Sequence, residues 1–393
     1  MSASHRRATS AGGSRPKVAP LDPRQLTGYL SHARDLPELL ALHWEHRDQF
    51  NYFHVDAFWS KFKVLARGQL GGLSDRLAPV CEQTVRMLPM LNARALANLA
   101  HAFAKAGLVG TGPWQNVWAG LPEAIRRLIR GFDPQTLSNT AWAFAKADYL
   151  STELFNVILA EVVRRELSNF NPQDLSNTAW AFATTDHLST ELFQAISAEV
   201  VRRGLGDFNP QGLSNTAWAF AVSNPPSADE LFGTTIFVTR CALFEDSFSR
   251  SALSQLHQWS LWREERGAHW PGLPKSLQQA CRAAFAGSGV VSSLLQSDVA
   301  QEIRRYDVLV KEEHRCETSG YSIDALVTLK DGSLVAVEVD GPYHFVGHSQ
   351  QPTGATLLKH RQLRYFGWRL EIVLYWEWGH TKELPWLKPS VLH

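Results

Sequence analysis

The sequence predicts an α-helical solenoid of two-helix repeats followed by a small α/β domain. Three observations lead there. A segment of 38 residues recurs from Phe132, Phe170 and Phe208, each time reading FxPQxLSNTAWAFA. After Gly287-Ser-Gly289 the helical spacing gives way to short runs of alternating apolar residues. The chain has 393 residues, 45% of them apolar, enough for an array of repeats and one further core.

Residues 1–22 form a separate segment. MSASHRRATSAGGSRPKVAP is rich in Ser, Ala and Arg and has no acidic residue before Asp22. That composition fits an organellar transit segment, and equally a disordered tail. On the first reading the destination is the mitochondrion, with the plastid as the alternative.

Residues 23–286 are expected to form the solenoid. A fixed period in this range signals helical hairpins, because one hairpin cannot bury its own apolar face and a stack can. Asp133, Asn171 and Asn209 are N-caps, each followed by Pro at the first helical position, where its missing N–H costs nothing. Leu137, Ala141 and Phe144 then recur at helical spacing toward the core. Ser151 caps the second helix, whose buried stripe is Leu154, Ile158 and Val162, and Leu167 packs into the next repeat. LANLAHAFA from Leu96 and LSQLHQWSL from Leu253 are degenerate outer copies. Residues 24–90 continue the stack.

The letters that change between copies lie at the ends of the first helix. They are Thr136/Asp174/Gly212, Lys146/Thr184/Val222 and Ala147/Thr185/Ser223. A constant frame with a varying column is what a modular reader of a linear polymer shows, and also what drift at exposed sites shows. Trp142, Trp180 and Trp218 serve helix packing or base stacking. Asn139, Asn177 and Asn215 bond across the repeat interface or reach a ligand. The 38-residue period and the PQxLSNTAWAFA wording resemble the octotricopeptide-like repeats of organellar RNA-binding proteins, over about residues 91–260.

Global charge gives no direction. Lys and Arg total 39 against 38 Asp and Glu, so nucleic-acid binding requires a local basic patch. The four cysteines form no CxxC pair and read as reduced thiols of an intracellular protein. No apolar run is long enough for a transmembrane helix, so no membrane partner is expected.

Residues 287–382 form the second domain. SDVAQEIRR reads as a short helix capped by Ser297. VLVKEEHRC, YSIDALVTLK and SLVAVEVDG read as strands, LLKHRQLRYFG as a helix ending at Gly367, and WRLEIVLYW as a last strand. A three-residue loop, Lys330-Asp331-Gly332, pairs Asp324 with Glu338. It sets Ile323, Ala325, Val327, Leu329, Val335, Val337 and Val339 on one apolar face, and Asp324, Glu338 and Asp340 on the other. Three converging carboxylates call for a cation or a hydrogen-bond network. A divalent ion on Asp324 and Glu338, Mg or Mn, is the simplest remedy and matches metal-dependent nuclease chemistry.

SID, VAVEVDGPYHF, the run Gly354-x-Thr356-x-x-Lys359 and Gly367-Trp368 resemble the RAP domain, with a motif core over residues 321–379. The resemblance implies a fold like that of very-short-patch-repair and PD-(D/E)xK nucleases, and a place in organellar RNA processing or stability. Asp324 and Glu338 match the nuclease acids. Asp340 stands where the lysine belongs, so Lys359 is the displaced lysine, Glu313 a further acid and His344 a base or phosphate contact. Because of that departure, binding without cleavage is the favoured reading. His360, Arg361, Arg364 and Arg369, interleaved with Tyr365, Phe366 and Trp368, form a basic and aromatic candidate RNA surface.

The function expected is organellar RNA binding in RNA processing, stability or translation. The solenoid, through the Lys146/Thr184/Val222 column, grips single-stranded mRNA or rRNA, the RAP-like domain contacts it, and ribonucleoprotein partners fit that role. A metal-dependent endoribonuclease and a protein-interaction scaffold are the alternatives.

Overall fold

The computed structural model describes residues 20–387 apart from 67–70, 268, 288, 290–291 and 348; the transit-like stretch before residue 20 lies outside the described residues. The array opens with α1 (Pro23–His32), α2 (Leu36–His46), α3 (Tyr52–Ala66) and α4 (Ser74–Met87). It continues through α5 (Ala93–Ala106), α6 (Gln115–Leu128), α7 (Pro134–Lys146), α8 (Thr152–Arg164), α9 (Pro172–Thr184), α10 (Thr190–Arg203) and α11 (Pro210–Ser223). The next hairpin is broken into α12 (Ala228–Phe232) and α13 (Ile236–Ala242), after Pro225-Pro226, and α14 (Arg250–Glu265) and α15 (Lys275–Ala286) close the array. The odd-numbered helices up to α11, then α14 and α15, stack side by side as layer A; the even-numbered helices up to α12 form layer B behind them.

The repeated words have local physical roles. Asp133, Asn171 and Asn209 accept the backbone N–H of Thr136, Asp174 and Gly212, so each layer A helix starts capped. Ser151 and Ser189 do the same for α8 and α10. Leu137, Ala141, Phe144, Leu154, Ile158 and Val162 are all buried in one continuous core, as are Leu167 and Phe170. The repeated EVVRR is a staple between repeats. Glu161 binds Arg164 and Arg165, and Glu199 binds Arg202 and Arg203. Arg165 then donates to Arg130 O, and Arg203 to the carbonyls of Leu167, Ser168 and Phe170 in the preceding turn. The two arginines pull Glu161 down to about 2.

The second domain comprises α16 (Leu294–Arg304), β1 (Leu309–Arg315), β2 (Ser322–Thr328), β3 (Leu334–Asp340), α17 (Gly354–Tyr365), β4 (Arg369–Leu374) and α18 (Tyr375–Thr381). The sheet order is β1-β2-β3-β4. The first two pairings are antiparallel, and β4 returns parallel to β3 with α17 as the crossover. The three-residue loop holds: Ala325 pairs Val337 and Val327 pairs Val335, which sets Asp324 against Glu338, and Gly332 adopts φ +84°. Ala325, Val327, Leu329, Val335, Val337 and Val339 pack on α16 and α18.

Two details differ from the sequence reading. Ile323 leaves that face and packs with Tyr321, Ala336 and Leu363. The ladder ends beside it, where the Asp324 side chain takes the Val339 N–H. The first helix begins at Ser293 rather than Ser297, because Ser293 and Gln296 form a reciprocal capping box that brings Leu294 and Leu295 into the first turn.

The sheet domain is docked on the C-terminal ends of layer A. Helix ends carry unpaired carbonyls, and a cation there also complements the helix dipole. Arg361 donates to Ala221 O and Val222 O at the end of α11 and pairs with Glu265 of α14. Tyr365 donates to Glu264 O, and Gln351 to Thr185 O and Asp186 O just past α9. Gly354 opens α17 directly against α9: a Cβ there would lie 1.9 Å from Ala183 O, so only glycine fits.

Candidate nucleic-acid interface

Counted from each N-cap, positions 2, 6, 9 and 13 of a layer A helix lie on one stripe, since each step is about one turn. In α7 these are Gln135, Asn139, Trp142 and Lys146; in α9, Gln173, Asn177, Trp180 and Thr184; in α11, Gln211, Asn215, Trp218 and Val222. In α5, after its cap Asn92, they are Arg94, Asn98, His101 and Lys105. In α5, α7 and α9 the apolar positions face layer B and these side chains face outward, whereas in α11 Asn215, Trp218 and Val222 are buried. Gln135, Gln173, Gln211, Lys105 and Lys146 are exposed, and Asn98, Asn139, Asn177, His101, Trp142 and Trp180 are half-buried.

Adjacent helices align these stripes into a groove lined by His101, Asn139, Trp142, Gln173, Asn177 and Asn215. The rings form a ladder along it. His101 lies 5.4 Å from Trp142, and Trp142–Trp180 and Trp180–Trp218 are each 6.4 Å apart and tilted by 34° and 36°. Lys105 Nζ sits 5.9 Å from the Trp142 ring. His101 is pushed down to about 4, by burial first and then by Lys63 and Lys105, so at neutral pH its imidazole is uncharged. Amide donors and acceptors, half-open aromatic faces and a basic end thus share one surface. On layer B the repeated arginines pair with Glu161 and Glu199, with Arg164 and Arg202 still exposed.

The varying columns fare differently from expectation. Lys146 is exposed at the groove, and Thr184 is half-buried beside it. Val222 is a correction: it is buried where α17 meets α11, so the third letter of that column serves domain docking. Thr136 and Asp174 are buried, and Ser138 donates across the repeat interface to Asp174 at 2.9 Å. That column tunes helix-to-helix contact. Arg361 is the second correction, being engaged by Glu265 and helix carbonyls rather than presented to solvent. Arg364 is exposed. Arg369 is exposed and 3.6 Å from Glu371, and Trp368 is half-buried with its indole N–H on Cys316 Sγ. The Gln and Asn columns and His101 are the residues sequence reasoning undervalued. Their signal was present in constant polar letters at helical spacing.

The carboxylates do converge. Asp324 accepts the Val339 N–H at 2.7 Å. Glu338 is fully buried with Lys359 on it. Asp340 Oδ1 lies 2.9 Å from His344 Nδ1 and 3.5 Å from His360 Nε2. Glu313 is half-buried and receives Ser322 Oγ. Burial pushes Glu338 up to about 8 against the pull of Lys359. Burial alone would lower Lys359, but Glu338 and Asp324 outweigh it and hold the ammonium above its ordinary value. Asp340 is held down at about 2, since its two histidines outweigh burial.

This donor set does not fit a divalent ion. The Lys359 ammonium sits on Glu338, Asp324 is spent on a backbone N–H, and Asp340 faces two imidazoles. Among the described residues no three His, Cys, Asp or Glu side chains are placed to share one metal.

A pH signature follows. A carboxyl raised in the fold contributes stability that is complete below its unfolded value of 4.5 and lost as pH rises toward about 8. Glu338→Gln removes that titration. Thermal melts of the full chain should therefore show the variant gaining on wild type from pH 5 to pH 8. Asp340 acts oppositely: its contribution is present above 3.8 and lost as pH falls toward about 2, so the acid limb should persist in the variant.

The fold and this site define a class: a helical-repeat array ending in a small sheet domain with a buried acid–lysine cluster. Comparison with family models agrees. Residues 337–384 match the RAP domain, and residues 145–178 and 186–216 match a family described as Protein of unknown function (DUF1601). Residues 337–384 are a RAP domain at the C-terminus, and a helical-repeat array precedes it.

Proposed function

We propose that this chain is an RNA-binding protein whose layer A groove holds single-stranded RNA, acting in organellar RNA processing, stability or translation. The observation that carries the reading is the aligned stripe of Gln, Asn, aromatic and Lys side chains across α5, α7 and α9. Aromatic faces stack unpaired bases, amides bond base edges, and lysines neutralise phosphates. A duplex hides the base edges and faces that this groove would contact. The RAP domain supports the same direction, since its presence points toward RNA.

Binding without cleavage is the form the site favours. Glu338 is wholly enclosed with Lys359 on it, so it is not presented to a phosphodiester. The stretch before residue 20 supplies the organellar part of the proposal, with the mitochondrion preferred. The test is direct: full-length protein with a labelled 12-nucleotide single-stranded RNA, the same RNA as a duplex, and magnesium or manganese added. Binding of the single strand at least about tenfold tighter than the duplex, with the RNA intact, supports the reading. Equal binding to both forms, or metal-dependent cleavage, overturns it.

A further inference from the structure

A cleft of about 560 Å³ lies where the RAP domain meets layer A. It opens at the carboxyl ends of the parallel strands β3 and β4, the place where parallel sheets with a crossover helix bind ligands. Its walls are apolar, formed by Leu188 of the array, Leu357 of α17 and Ile372 and Leu374 of β4. Its polar lining includes Asp340 and His360, beside Asp186, Asn224 and Arg361. Asp340 and His360 are 1% and 5% exposed; Asp340 Oδ1 has His344 Nδ1 at 2.9 Å, while His360 Nε2, 3.5 Å from the same oxygen, is buried without a hydrogen-bond partner. A buried polar atom left unpaired is costly, and a ligand that pairs His360 Nε2 recovers that cost. Arg364, exposed, also lines the cleft. Size, apolar walls and a few convergent polar groups are the marks of a small-molecule site.

The cleft lies at the C-terminal end of the α11 stripe. Val222, position 13 of the α11 stripe, forms part of its wall, as does Asp186 just beyond Thr184. We infer that the cleft receives one unpaired base of the RNA lying along layer A, with the base between the apolar walls, its edge on Asp340 and His360, and its phosphate on Arg364. This rests on the groove binding single-stranded RNA. A carboxylate oxygen only accepts, so the base turns a donor to it: the exocyclic amine of adenine, guanine or cytosine, or the N3–H of uracil.

The test uses the full chain with AMP, GMP, CMP, UMP and the base-free ribose 5-phosphate by calorimetry, and the single-stranded 12-mer in parallel. At least one nucleoside monophosphate should bind about tenfold tighter than ribose 5-phosphate. Arg364→Glu, a surface change, and Leu374→Trp, which fills the cleft, should each weaken that monophosphate at least about tenfold. The 12-mer should lose less, because the groove remains. Unchanged melting of Arg364→Glu would show that folding is not the cause. No monophosphate binding, or equal binding to both variants, overturns the inference while 12-mer binding leaves the groove standing. Monophosphate binding without any 12-mer binding refutes the groove and leaves only a mononucleotide site.

Discussion

Lys359→Met is expected to destabilise the RAP domain by about 3 kcal/mol, the cost of leaving a buried carboxylate without its partner. Glu338 has no exposure and no other cation on it, with Asp324 and Asp340 close enough to repel it. The deficit should widen as pH rises, because the orphaned Glu338 avoids its cost by staying protonated and that escape closes in alkali. Adding Glu338→Gln to Lys359→Met should restore most of the loss, since a neutral pair needs no ammonium. Urea unfolding of the full chain, with hydrogen exchange at β3 and α17 to locate the effect, measures both variants. A single variant within about 1 kcal/mol of wild type would show that the pair is not the cluster's counterbalance.

Lys105→Glu with Lys146→Glu is expected to lower affinity for the single-stranded 12-mer by on the order of a hundredfold at low salt. Both ammoniums are exposed at the same end of the stripe. If each neutralises one phosphate, the slope of log affinity against log salt falls by about 1.4, at roughly 0.7 per contact on a single strand. Arg126→Glu with Arg127→Glu on α6 of layer B reverses the same number of charges behind the groove and serves as the control. Its effect should be several-fold smaller. Equal losses from both changes would mean that only net charge matters.

The array was legible because its period is written in caps and core letters. Asp133-Pro134, Leu137, Ala141 and Phe144 fix where a helix starts and which face is inside, and those determinants are local. The sheet register was legible for a similar reason, since Gly332 and the alternation around Val335 and Val337 admit one pairing. What the sequence did not reveal depends on how the two domains meet. Val222 looks like a neighbour of Lys146 in the alignment of copies, yet α17 covers it. Arg361 looks like a surface cation on a basic helix, yet it caps α11. Neither contact leaves a trace in local spacing. The buried Lys359–Glu338 pair lies between the two outcomes: motif order put the residues together, and only the fold shows the ammonium on the carboxylate. The constant Gln and Asn columns lie at helical spacing in the sequence, and only the stacked helices bring them onto one surface.

The central claim is that RNA lies on layer A. Ultraviolet crosslinking of the single-stranded 12-mer to the full chain, with the modified peptides identified by mass spectrometry, tests it most directly. The account predicts adducts within residues 93–106, 134–146 and 172–184, centred on His101, Trp142 and Trp180. Adducts concentrated on α6, α8 and α10 of layer B, with layer A unmodified, would contradict it.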